Sequence, residues 1–104
     1  MRILKITEDS IEFDNGKHIE FYHCCDCCEN NYADFKQLEP LARDVDFSEP
    51  LVFESCNYGF RFGNPPINMF FVPCYSEQNG FYSNELDIWY DGKEVIRGLE
   101  CDMV

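Results

Sequence analysis

Two glycine turns do most to limit what this chain can fold into. Asn15-Gly16 and Asp91-Gly92 each separate runs in which apolar and polar residues alternate. Alternation at period two belongs to a strand with one buried face, and an Asn-Gly or Asp-Gly pair between two such runs marks a hairpin. Parity then sets the loop length. A two-residue loop at Asn15-Gly16 pairs Asp14 with Lys17 and puts Ile11 and Phe13 on the face of His18 and Glu20. A three-residue loop, Asp14 to Gly16, pairs Phe13 with Lys17 and Ile11 with Ile19, so that Ile11, Phe13, Ile19 and Phe21 share one face. A slip of one residue flips every side chain, so the three-residue loop with Gly16 in the left-handed region is the expected one. At Asp91-Gly92 a two-residue loop suffices, pairing Tyr90 with Lys93 and Ile88 with Val95.

Other runs read the same way. Residues 1–6 form a short apolar opening. Leu51 to Ser55, Tyr58 to Phe62 and Met69 to Tyr75 are apolar and rich in aromatics, with a loop at Gly63-Asn64-Pro65-Pro66 and a turn from Ser76 to Gly80. Residues 31–45 are the one helical candidate. Tyr32, Phe35 and Leu38 recur at a spacing of three, Asn31 is placed to cap the start with Asp34 three residues on, and Pro40 limits the helix or restarts it. The expected fold is α+β: seven or eight antiparallel strands, in an open sheet or a small barrel, with one short helical segment after the cysteine cluster. The chain has 104 residues, 45% of them hydrophobic and 16% aromatic. That suits a single domain spanning 1–104, able to bury roughly two-thirds of its unfolded surface without metal or disulfide staples.

Charge narrows the partners. Twenty acidic and eight basic residues give a net charge of -12. Such a chain repels phosphate, which disfavours direct contact with nucleic acid or an anionic membrane surface and permits a basic protein as partner. Self-association stays open. No run approaches the ~20 apolar residues of a spanning helix, and MRILKITEDS has no signal-peptide core. The expected compartment is the cytoplasm, where thiols stay reduced. Seven cysteines, an odd number, also fit poorly with a complete disulfide framework.

The densest chemistry is HCCDCCE, residues 23–29. His23 is in phase with Ile19 and Phe21 and so turns toward the core side at the end of a strand. Cys24, Cys27 and Cys28 would share a face if the turn is helical. Free cysteine is among the most buried residue types, so a packed joint is the baseline reading. Zinc is the sharp alternative, held by His23, Cys24, Cys27 and Cys28; both Cys24-x-x-Cys27 and Cys25-x-x-Cys28 have ligand spacing. A structural zinc commonly takes two such pairs, and Cys56, Cys74 and Cys101 stand alone in sequence. No resident cofactor is otherwise implied. A redox CxxC lacks its βαβ context, and Asp26 and Glu29 oppose thiolate formation. A Cys-His nucleophile using His23 has no identifiable orienting residue. A disulfide from Cys27 or Cys28 to a distant cysteine is a further option.

The remaining motifs are weaker. Glycine-rich phosphate loops, HExxH, GxSxG and EF-hand patterns are missing from the sequence. Arg61, set among aromatics in NYGFRFGNPPINMFF, is expected to point outward from a packed strand. The acidity raises the possibility of a DNA mimic that inhibits a DNA-binding protein, which would need carboxylates gathered on one face.

HCCDCCE and the later NGFYS together resemble a family of small uncharacterised bacterial and bacteriophage proteins with an H-x-x-D-C-C-E motif after a strand and an N-G-x-Y-S turn. His23, Asp26, Cys27, Cys28 and Glu29 match the first motif; residues 79–83 match the second. Cys24 and Cys25 fall at its variable positions. The resemblance implies a shared fold and a phage or mobile-element setting, and it supplies no activity. The expectation is a non-catalytic binding or accessory protein. Its site of interest is His23, Asp26, Cys27, Cys28 and Glu29, with the cysteines structural.

Overall fold

A computed structural model describes residues 1–23, 30–78, 80 and 83–104. Among them, in chain order, are strands β1 (Ile3–Ile6), β2 (Ser10–Phe13), β3 (His18–Tyr22), β4 (Asn30–Ala33), β5 (Val52–Cys56), β6 (Gly59–Asn64), β7 (Asn68–Glu77), β8 (Glu85–Tyr90), β9 (Lys93–Glu100) and β10 (Asp102–Met103). One 3-10 turn, Phe35–Leu38, follows β4. The strands form two sheets, ordered β1-β2-β3-β8-β9 and β10-β7-β6-β5, with β4 paired to the second half of β7. The fold is mostly antiparallel β, as expected. Among the described residues the sheets do not close into a barrel.

The first hairpin has the register that parity requires. Ile11 pairs with Ile19, the Phe13 amide donates to the Lys17 carbonyl, and Gly16 has φ +87°. Ile11, Phe13 and Ile19 are fully buried, and Phe21 packs against them from one end.

The second hairpin departs from its expected register. Tyr90 pairs with Lys93 and Trp89 with Glu94, but Ile88 faces Ile96, not Val95. Val95 is an extra residue in β9, a bulge that lets Ile96 take the buried side while Val95 stays exposed. A second irregularity follows before Leu86 meets Leu99. There Gly98, at φ +67°, donates its amide to Asp87 Oδ1 at 2.8 Å. The left-handed conformation that this bulge uses is one glycine adopts without strain.

The helical candidate shrinks to a single turn. Residues 30–33 form β4 because the ladder to β7 (Asn31 to Ser76, Ala33 to Cys74) satisfies their backbone. In that strand Asn31 and Ala33 turn inward with period two. Phe35 and Leu38 then share the buried face of the 3-10 turn, as i and i+3 do in that geometry. Asp34, not Asn31, stands at the head of the turn, and its side chain makes no capping bond. Beyond it, Ala42 is buried while Leu41 is exposed, and the chain runs on as turns and coil to β5. Two loop boundaries also move. Gly63 and Asn64 complete β6, and Ser76 and Glu77 complete β7, each held by a partner strand. β10 adds a parallel pair, Asp102 to Tyr75 and Met103 to Ser76.

The inner faces of the sheets meet in an aromatic core. Phe13 lies edge-on to Phe47, Phe62 and Tyr90, with ring centroids 5.8, 6.4 and 6.1 Å away. Phe47 comes from the coil before β5 and packs on both Phe62 and Phe70. Its amide donates to the Met1 carbonyl. The Asn64 amide group exchanges two bonds of 2.7 Å with the Ser48 backbone, as a strand neighbour would, and fixes the coil that delivers Phe47. Arg61 points outward and pairs with Glu54, while Phe60 and Phe62 on either side are buried.

Candidate functional site

Cys24, Cys25, Asp26, Cys27, Cys28 and Glu29 lie outside the described residues, as do Asn79, Phe81 and Tyr82. The readings that depend on them (zinc, nucleophile, cluster disulfide) have no described geometry. Of the motif, His23 is described. It follows β3, half-buried, and borders a shallow cleft of about 380 Å³ with Asp9, Glu20 and Tyr22.

The flanks of both motifs meet. Before the cysteine segment, Tyr22 pairs with Asp87; after it, Asn30 pairs with Glu77. Glu77 and Asp87 in turn bracket the segment that carries Asn79-Gly80-Phe81-Tyr82-Ser83. These flanking residues, some fifty positions apart in sequence, lie on strands that meet: β3 with β8, and β4 with β7.

A buried polar network joins β4, β7 and the start of β8. Asn31 is fully buried, and its Nδ2 donates to the carbonyls of Ser83 at 2.8 Å and Glu85 at 3.1 Å. The Ser76 hydroxyl, also fully buried, donates to Asn31 Oδ1. Gln78 Nε2 donates to Ser76 Oγ at 2.7 Å and to the Ser83 carbonyl at 3.0 Å. A buried amide left unmade would cost more than it gains, so this set has a defined geometry or none. The sequence reading assigned Asn31 to a helix cap and missed this role. An asparagine two residues before Ala33 in an inward phase was the only signal.

Beside the network opens a cleft of about 520 Å³. Glu8, Asp9, Asp34 and Glu77 supply carboxylates, and Phe21, Tyr32 and Phe35 supply aromatic wall. Tyr32 donates to Glu77 Oε1 at 3.4 Å. Burial, and then the Glu77 charge, hold the Tyr32 phenol above its ordinary value, so it remains a neutral donor at physiological pH. Lys36 is the one cation on the described lining. Elsewhere, exposed carboxylates occur in the first hairpin turn (Asp14), the long coil (Asp44) and β9 (Glu100).

Among the described residues, no group of three or more His, Cys, Asp or Glu side chains could hold a metal ion. Also among them, no helix is long and apolar enough to cross a membrane. Of the three cysteines outside the cluster, Cys56 is half-buried at the end of β5, whereas Cys74 and Cys101 are buried side by side. No protein-family model, curated protein or solved structure matches this chain.

Proposed function

We propose that this chain is a non-catalytic binding or accessory protein that takes a basic segment of another protein into the cleft beside β4. The observation that carries the reading is the cleft itself: four carboxylates over an aromatic wall, in a chain of net charge -12. A lysine or arginine side chain entering it would meet opposite charge and the half-exposed rings of Phe21 and Tyr32. In this reading His23, Asp26, Cys27, Cys28 and Glu29 are structural. A cytoplasmic setting and a phage or mobile-element origin accompany the proposal, the first from the odd cysteine count, which fits poorly with a complete disulfide framework, and the second from the motif resemblance.

Titration calorimetry with a lysine- and arginine-rich peptide tests it. The expected result is binding at ~50 mM salt that weakens at ~200 mM, as screening shortens the reach of the carboxylates. The double variant Asp34→Asn, Glu77→Gln should weaken binding at least several-fold. Absence of binding at low salt, or binding indifferent to those two changes, overturns the reading.

The CxxC spacing keeps one second reading in view, a zinc module through His23, Cys24, Cys27 and Cys28. Stoichiometric zinc in protein purified without chelator or added metal would favour it. The inhibitory DNA-mimic reading gains no support from carboxylates spread over both sheets and their loops.

A further inference from the structure

We infer that Cys74 and Cys101 form a dithiol–disulfide couple that can join β7 to β10 covalently. The pairing register leads to it. Asp102 lies opposite Tyr75 and Met103 opposite Ser76 in a parallel ladder, and one step back along both strands sets Cys101 opposite Cys74. Neighbouring strands run about 4.8 Å apart. Disulfides bridge Cα atoms about 4.4–6.8 Å apart. Both side chains are wholly buried in the same core, and the two thiols are close enough to interact directly. Each otherwise makes a weak contact two residues back along the chain: Cys74 Sγ lies 4.0 Å from the Val72 carbonyl, and Cys101 Sγ 3.9 Å from that of Leu99.

The location gives the bond a consequence. The Cys101 amide donates to the Asn84 carbonyl at 2.7 Å, and Asn84 Nδ2 donates back to the Cys101 carbonyl at 3.0 Å. Asn84 sits between Ser83 and Glu85, the two carbonyls that Asn31 holds. A Cys74–Cys101 disulfide would thus brace the same end of the molecule that the polar network organises.

The chemistry needs an external oxidant, and a small disulfide such as oxidised glutathione supplies it. One protein thiolate attacks the external disulfide, forming a mixed disulfide and releasing one glutathione thiolate. The second protein thiolate attacks the protein sulfur of that mixed disulfide and releases the other glutathione. Two protein thiols lose two electrons and two protons, and one external disulfide becomes two thiols. The facing Cys101 thiol and burial together push the Cys74 thiol far above its ordinary value, so the packed pair resists attack. The short β10 must lift first, which makes Cys101 the residue that meets the oxidant and Cys74 the one that resolves it.

The folded protein is incubated with oxidised glutathione, free thiols are alkylated in denaturant, and the product is digested with trypsin. Cleavage after Arg61, Lys93 and Arg97 leaves Cys74 alone in peptide 62–93 and Cys101 alone in the peptide that begins at Gly98. The expected result is a linked pair of these two peptides, lighter by two hydrogens, with alkylation of both cysteines lost in equal proportion and restored by dithiothreitol. In Cys101→Ala, Cys74 should remain fully alkylated after the same treatment. Three results would overturn the inference. One is both cysteines staying alkylatable in the oxidised wild-type protein. Another is a stable glutathione adduct on Cys101. The third is a link from either cysteine to the 24–28 cluster.

Discussion

The two ends of the core are held by different forces. Phe13 and five further aromatic rings pack from both sheets and the coil between them, and the stabilisation comes from area removed from water. Around Asn31, a few side-chain hydrogen bonds join β4, β7 and the start of β8, and what they supply is position. The aromatic end makes the fold stable. The polar end joins the strands that flank the two motif segments. The lesson is that the region with less buried apolar surface is the one that builds the candidate site.

Substitutions can break that contrast in order of size. Phe13→Ala removes a fully buried ring from three edge-on partners and should cost about 3–5 kcal/mol by denaturant unfolding, with loss of cooperativity throughout. Asn31→Ala removes the donor to the Ser83 and Glu85 carbonyls and the acceptor of the Ser76 hydroxyl, leaving Ser76 and Ser83 bonded to Gln78 alone within the network. It should cost about 1–3 kcal/mol and weaken peptide binding beyond that loss. If Asn31→Ala proves as disruptive as Phe13→Ala across the whole fold, the separation of roles fails.

In β9, Ile96→Ala should cost about 2–5 kcal/mol, while Val95→Ala, on the exposed bulge, should stay within about 0.5 kcal/mol. Equal costs would restore the regular register that pairs Ile88 with Val95.

The smallest effect concerns Glu49, which accepts bonds from Tyr90 at 2.5 Å and Lys17 at 3.0 Å. The Tyr90 hydroxyl, and after it Lys17, hold the Glu49 carboxyl below its ordinary 4.5. A depressed carboxylate contributes stability above its unfolded value and loses it as pH falls through the folded one. Half-exposed as it is, the contribution should be under about 1 kcal/mol. The difference between wild type and Glu49→Gln should therefore be present at pH 7 and vanish in acid, falling from about pH 4.5 downward; a difference that grows in acid would reverse the assignment.

What could be read from sequence tracks the range of the forces. The Asn15-Gly16 hairpin was legible because Ile11, Phe13, Ile19 and Phe21 agree on one face in one register only. In β9, Val95 and Ile96 are adjacent and both apolar, so alternation cannot say which turns inward. That choice is made by the bulges and by the bond from Gly98 to Asp87. β4 was hidden because its partner lies more than forty residues away and its inward residues are an asparagine and an alanine. The spacing of three at Tyr32, Phe35 and Leu38 was real for Phe35 and Leu38, yet it belonged to one 3-10 turn. Cys74 and Cys101 stand alone in sequence, and a two-residue parallel pairing brings them together. At the site, His23 was singled out from the motif, whereas Asn31, Tyr32, Asp34 and Glu77 became visible only once β4 was placed against β7.

Amide hydrogen exchange on Asn31→Ala, under conditions where the variant stays folded, tests the positional role of the polar end most directly. Exchange should accelerate in residues 30–33, 74–78 and 83–86, while the protection of β2, β3 and β6 around Phe13 is retained. Unchanged exchange in those three segments, or a uniform acceleration across both sheets, would contradict the account.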